Sequence, residues 1–216
     1  MKIKSIVLDF DNTLYAEKEY FVKIFERFCE IRKIEYDLIK IILSNFDYIR
    51  INEKDIFSFV LKKINYYSVE NHNLLFKLYT EITTIIYPYE GINTFINELI
   101  SKKIGIYVLT NGIIVAQKNK WKCLFLENKN RIKFHPSREF GQDKPSAITF
   151  TKMLNIINIP PEDILFIGDR FDNDIKWAID NNSNGILFNT NEICQSTPSF
   201  NNTVDLWNYI QSQFNF

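Results

Sequence analysis

A surplus of one charge is the first thing this sequence lacks. Lys plus Arg and Asp plus Glu number 26 each in 216 residues, so the formal net charge at pH 7 is zero. Nothing in the bulk electrostatics draws the chain to a nucleic acid polymer or an anionic membrane, although a local patch is not excluded. Long apolar runs are missing as well, and none approaches the roughly 18 residues of a membrane span. The first residues, Met1 to Asp9, reach an acid too early to hold the apolar region of a signal peptide. Cysteine is scarce and unpatterned. Cys29, Cys123 and Cys194 are odd in number, widely spaced and contain no C-x-x-C, which indicates free thiols of a reducing compartment and excludes a disulfide frame or zinc site. His72 and His135 have no partner pattern. The expected location is cytoplasmic. Hydrophobic residues at 46% and charged residues at 24% give an ordinary globular balance, and the length fits one generous domain or a core with a smaller insert.

The pattern changes character along the chain. Ile3 to Leu8 is a short apolar run ending on Asp9, which predicts a buried strand. From about Tyr15 to Tyr89 the periodicity is helical. Phe21, Ile24, Phe25 and Phe28 share one helix face, Ile56, Phe59, Val60 and Ile64 another, and Leu75, Leu78, Ile82, Ile85 and Ile86 a third. Asn52 is the expected N-cap of the middle stretch. The segment has no glycine, a single proline at Pro88, and 16 of the chain's 33 aromatics, enough for a small core of its own. Beyond Gly91 helices and strands alternate. A helix near Ile92–Ile100 precedes a strand at Ile104–Leu109, and a helix around Ile113–Trp121 precedes a weaker strand near Ile132–Phe134. Pro145 is expected in the first turn of a helix running toward Ile157. Then come a strand at Ile164–Ile167, a helix through Ile175–Ala178, a strand near Gly185–Phe188 and a last helix at Val204–Ile210. This alternation predicts an α/β fold: a doubly wound, Rossmann-like parallel sheet of residues 1–14 and 90–216, carrying an inserted α-helical cap of residues 15–89.

The acids fall where strands end. Asp9 closes the first strand and Asp11 follows two residues later, in Asp9-Phe10-Asp11-Asn12-Thr13. The carboxyl ends of the strands form the ligand crevice of an open α/β sheet. Two carboxylates there can share a metal or divide nucleophile and acid roles. A second group, Gly168-Asp169-Arg170-Phe171-Asp172-Asn173-Asp174, ends a later strand. Like charges gathered in one crevice require a cation, and oxygen-only ligands point to a hard ion such as Mg²⁺. Thr110-Asn111-Gly112 offers a hydroxyl, an amide and a helix start suited to an anion. Lys144 adds a positive point charge for a phosphoryl oxygen.

With these residues in hand, the sequence resembles the haloacid dehalogenase superfamily, in particular its phosphatase-like members with a helical cap after the first strand. Four motifs stand in the family's order: Asp9-x-Asp11-x-Thr13, Thr110-Asn111, Lys144-Pro145 and Gly168-Asp169-x₄-Asp174. The approach Ser137 to Asp143 also looks like the family's path to its lysine. The resemblance implies that Asp9 is the nucleophile and forms an aspartyl-phosphate. It implies that Asp11 protonates the leaving oxygen and then activates water, while Thr13 holds the turn. Thr110 and Asn111 would bind phosphoryl oxygens, and Lys144 would stabilise both Asp9 and phosphate. Mg²⁺ would be held by Asp9, Asp169, the backbone carbonyl of Asp11, and Asp174 directly or through water. Ala147 departs from the second proline that relatives often carry. The dehalogenases that name the superfamily usually lack an acid at the place of Asp11, since halide departure needs no proton, which argues against dehalogenation here.

Each motif alone has a plainer reading: capped turns for the acids, a turn for Thr110-Asn111-Gly112 and a solvated side chain for Lys144. Their order outweighs those readings. A receiver-type signalling domain is shorter and arranges its acids and lysine differently, and a non-catalytic scaffold would have lost a nucleophile or metal acid. A phosphomutase of the same superfamily is the nearer alternative. The expected activity is hydrolysis of a small soluble phosphate monoester, a sugar phosphate or nucleoside monophosphate, because a closing cap excludes large substrates. The cap's aromatics mainly pack against each other, with a few left to stack a base. Arg50 is a candidate substrate contact from the cap.

Overall fold

The computed structural model describes residues 2–190 and 197–215; Cys194 lies outside them. Among the described residues six strands and ten α-helices follow one another. Strand β1 (Ser5–Leu8) is followed by α1 (Glu17–Arg32), α2 (Asp37–Leu43), α3 (Phe46–Asn52), α4 (Ile56–Lys63) and α5 (Val69–Glu81). Then come α6 (Ile92–Ser101), β2 (Gly105–Thr110), α7 (Ile114–Cys123), β3 (Ile132–Pro136), α8 (Ala147–Ile157) and β4 (Ile164–Gly168). A π-helical turn at Phe171–Ile175 leads into α9 (Lys176–Asp180), β5 (Asn184–Phe188), β6 (Ser199–Phe200) and α10 (Thr203–Gln213).

All strand pairs are parallel, in the order β3-β2-β1-β4-β5-β6. The reason lies in the strand sequences. Ile6, Leu8, Ile106, Val108, Leu165, Ile167, Ile186 and Phe188 face one core, and Val7, Tyr107, Leu109, Ile164, Phe166 and Leu187 the other. Period-two alternation with both faces apolar reads as a continuous hydrophobic run, which only a sheet covered on both sides can bury. On the first face lie Phe95, Ile96 and Leu99 of α6 and Leu206 and Ile210 of α10; on the second lie Phe150, Met153 and Ile157 of α8. The molecule is therefore a doubly wound, Rossmann-like α/β fold. The chain leaves β1 toward β2 and returns across it to β4, so the crevice of the reversal opens beyond Leu8 and Gly168.

Helices α1–α5 share the first core. Their aromatics pack on one another, Phe21 against Phe46, Phe57 and Tyr79, and Phe57 against Phe25 and Tyr79. Three expectations about element ends are corrected. Asn52 is the last residue of α3, and the cap of α4 is Asp55, whose carboxylate accepts the N–H groups of Phe57 and Ser58 at 3.1 Å. Pro145 stands before the helix, because Ser146 supplies the capping oxygen for Ile148 N–H and α8 begins at Ala147. The apolar spacing from Leu75 to Ile86 outlasts its helix. The chain leaves helical geometry at Ile82, and Ile86 instead bonds the end of α7 through Cys123 and Phe125.

Candidate active site

The turn after β1 is built from the inside. Phe10 is fully buried and packs edge-on against Trp121 and Phe134. Asp9 N–H donates to Ile167 O at 2.8 Å, which ties the start of the turn to β4. Asn12 takes a left-handed φ of 61°, a conformation that asparagine tolerates, and its own N–H returns to Tyr15 O.

Asp9, Lys144, Asp169 and Asp174 meet at this point. Lys144 Nζ lies 2.5 Å from Asp9 Oδ1 and 2.6 Å from Asp174 Oδ1. Thr13 Oγ1 donates to the other Asp9 oxygen at 3.3 Å. Oxygens of Asp9, Asp169 and Asp174 all lie within 4.8 Å of one another. Asp174 can come this close because residue 168 is glycine: a Cβ there would stand 2.5 Å from that of Asp174. A space of about 10 Å³, the size of a single water, opens beside Asp9, Lys144 and Asp174. A larger cavity of about 230 Å³ lies at the other end of the sheet, between Ile100, Gly105 and Arg131, and contains no acid.

Burial dominates the electrostatics here. It pushes the Asp9 carboxyl up to about 7, opposed by Lys144 and reinforced by Asp174 and Asp11. It pushes Asp169 up to about 9, with Asp9 and Asp174 adding to the effect. Burial works against the Lys144 charge, but Asp174 and Asp9 outweigh it and hold the ammonium above its ordinary value. Three carboxylates against one ammonium leave negative charge uncompensated. This all-oxygen donor set fits a hard divalent cation such as Mg²⁺.

Asp11 lies in different company. Tyr15 Oη donates to its Oδ1 at 2.5 Å, Gln117 Nε2 to its Oδ2 at 2.8 Å, and Lys120 Nζ reaches both oxygens at 2.9 and 3.0 Å. Lys120 also donates to Glu17 Oε1 at 2.9 Å, and Glu17 in turn accepts Arg50 Nε at 3.0 Å. Burial alone would raise Glu17, but Lys120 and Arg50 hold it down at about 2. Arg50 is thus paired with Glu17 on α1, with its side chain half exposed.

Residues 110–112 join these groups to the lysine loop. The Asn111 side-chain amide brackets the Lys144 backbone, donating to its carbonyl at 2.9 Å and accepting its N–H at 2.6 Å. Thr110 Oγ1 accepts Gln117 Nε2 at 3.1 Å, and Asp143 accepts from Gly112 N–H and Ser137 Oγ. Sequence reasoning did not single out Gln117, Lys120, Glu17 or Tyr15. The one available signal is the i, i+4, i+7 spacing of Ala116, Lys120 and Cys123, which puts Lys120 on the apolar face of α7; residue type alone does not separate it from Lys118 and Lys122. Cys29 and Cys123 are free and buried; His135 is half-buried, and His72 pairs with Asp55.

A family model for haloacid dehalogenase-like hydrolases matches residues 6–188. The chain belongs to that family. This haloacid dehalogenase-like hydrolase is 28% identical over 202 residues, 82% of its length and 80% of the relative's, to the glyceraldehyde 3-phosphate phosphatase of Methanocaldococcus jannaschii. Its fold matches YfnB of Bacillus subtilis, a hydrolase of the same superfamily solved with magnesium, at a TM-score of 0.71 and 15% identity, covering 97% and 99% of the two chains. It also matches a predicted phosphoglycolate phosphatase from Haemophilus somnus at 0.65 and 14% identity, covering 98% and 99%.

Proposed function

We propose that this hydrolase of phosphate esters is a Mg²⁺-dependent phosphatase acting on a small soluble monoester through an aspartyl-phosphate on Asp9. The observation that carries the reading is the contact of Lys144 Nζ with Asp9 at 2.5 Å, beside the carboxylates of Asp169 and Asp174 that follow β4. Mg²⁺ would be held by Asp9, Asp169, Asp174 and the Asp11 carbonyl, and would neutralise charge on the phosphoryl oxygens. One Asp9 oxygen attacks phosphorus, the bond from phosphorus to the ester oxygen breaks, and Asp11 gives that oxygen its proton. Asp11 then takes a proton from water, whose oxygen attacks the acyl-phosphate and releases inorganic phosphate and free Asp9. Lys144 offsets the charge of Asp9 and of the bound phosphate. Thr110 binds a phosphoryl oxygen through its hydroxyl, and Asn111, whose side chain is committed to the Lys144 loop, does so through its backbone N–H.

Residues 15–89 act as the cap over a core of 1–14 and 90–216, and the cap selects the leaving group. A sugar phosphate of the triose class is favoured over a nucleoside monophosphate. The relative's substrate supports this, and Phe21, Phe57 and Tyr79 are engaged in packing on one another within the cap. The enzyme acts in the cytoplasm, a reading that the free Cys29 and Cys123 support; no described helix is long and apolar enough to cross a membrane. The test is phosphate release from a panel of phosphorylated metabolites, with Mg²⁺ and with excess chelator. Release from small monoesters that stops in chelator is expected. Full activity in chelator, transfer between sugars without phosphate release, or cleavage of phosphoproteins alone would overturn the reading.

A further inference from the structure

We infer that Lys120 is a positioning residue for Asp11, fixing the orientation of its carboxylate and tying it to Glu17 on α1. The inference rests on the proposed role of Asp11 in proton transfer. Lys120 has no exposed surface, yet its ammonium contacts both Asp11 oxygens and Glu17 Oε1, all within 3.0 Å. The rings of Tyr20, Phe21 and Tyr79 stand 5.6, 5.9 and 5.5 Å from the ammonium, keep water from it and add cation–π attraction. Burial opposes this charge, and Asp11 and Glu17 outweigh that opposition, so the lysine stays an ammonium.

The geometry leaves Asp11 little freedom. Gln117 stands one helical turn before Lys120 on α7 and donates to Oδ2, while Tyr15 donates to Oδ1. Any rotation of the carboxylate breaks one of these bonds. The lysine is itself fixed from behind, since Glu17 also accepts two nitrogens of Arg50. Stability alone is a poor reason for this arrangement, because apolar side chains of the same volume stabilise an interior at least as well as a buried ion pair. Lys118, on the same helix, shows the ordinary alternative: half exposed and paired with Glu139 at the surface. A proton donor, in contrast, must stand within hydrogen-bond reach of the leaving oxygen, and a displacement of about 1 Å can cost on the order of 100-fold in rate.

The test uses leaving groups that differ in their need for a proton. An alkyl phosphate such as glycerol phosphate must have its departing oxygen protonated, whereas 4-nitrophenyl phosphate expels a stable phenolate unaided. In Lys120→Met, kcat/KM for the alkyl ester should fall at least about 10-fold further than for the aryl ester. The same contrast is expected, larger, in Asp11→Asn. Lys120→Met strands Glu17 with Arg50 alone and can fail to fold, so Lys120→Met/Glu17→Gln, which removes both buried charges, is the second variant and should show the same contrast. Equal losses on both esters, no loss, or unfolding of both variants would make Lys120 merely structural and overturn the inference. A contrast in Asp11→Asn without one in the Lys120 variants sinks the inference alone. Its absence in Asp11→Asn sinks the proton-transfer reading of Asp11, and the inference with it.

Discussion

Two acidic clusters flank the turn after β1, similarly buried and electrostatically opposite. On one side Asp9, Asp169 and Asp174 share a single ammonium, that of Lys144. On the other, Asp11 and Glu17 face two cations, Lys120 and Arg50. Burial penalises the charges of Asp9, Asp169 and Glu17 alike, so the difference comes from the count of partners. Where cations are short, burial wins and carboxyls rise, Asp9 to about 7 and Asp169 to about 9. Where cations match acids, the partners win and Glu17 falls to about 2. The first cluster is therefore an incomplete site that a divalent ion would complete, and the second is complete without one.

The comparison can be broken most sharply at Asp9. Asp9→Asn should reduce phosphatase turnover by at least about 10³-fold and leave no trappable phosphoenzyme, since both halves of the proposed cycle pass through this carboxylate. Rapid quench with a labelled substrate reads both; turnover near wild type would end the covalent mechanism.

Next in size is the balanced cluster. Lys120→Met leaves two buried carboxylates with Arg50 alone and should lower stability by about 3–5 kcal/mol in denaturant unfolding. A loss under about 1 kcal/mol would mean the charges are not buried as described.

Removing charge from the unbalanced cluster should act in the reverse direction. In excess chelator at pH 8, Asp169→Asn is expected to unfold at a higher temperature than wild type. Added Mg²⁺ should then raise the midpoint of wild type only, by the equivalent of about 2.7 kcal/mol at a hundred times its Kd. A variant less stable than wild type in chelator would contradict the charge imbalance.

The smallest effects are in pH. Asp9 and Asp169 have folded values above their unfolded ones, so the native state holds more protons and metal-free stability falls as pH rises from about 4 toward 9. Glu17 is the opposite case: its folded value is depressed, so its contribution is complete above the ordinary carboxylate range and disappears as pH falls toward 2. Glu17→Gln should accordingly cost about 1–3 kcal/mol at pH 7, and the gap to wild type should close in acid. A constant gap from pH 7 to pH 2.5 would remove the ionic role.

Much of this is legible in the sequence itself. The run Ile6-Val7-Leu8 followed by Asp9 marks a buried strand ending on an acid, and acids, amide and lysine recur at later strand ends in one order. Local composition was sufficient there because a strand buried on both faces must be continuously apolar, so its end is written where the apolar run stops. Residue type also limits the kind of ion that would suit the first cluster to a hard one, since only oxygen donors are present. Segment ends were less legible: the apolar spacing through Ile82 and Ile86 looks helical, but the Ile86 backbone finds its partners on α7.

What only the tertiary structure decided is which charges are buried and with whom. Lys118, Lys120 and Lys122 are alike in residue type, and one of them lies sealed between Asp11 and Glu17, 109 and 103 residues away along the chain. The resemblance makes Asn111 a phosphate contact, and only the fold shows that its side chain bonds the backbone of Lys144, 33 residues on. Sequence sets each group's intrinsic chemistry and the period of its element. The energy of a buried charge depends on distance to partners and on exclusion of water, and neither is defined until remote segments pack.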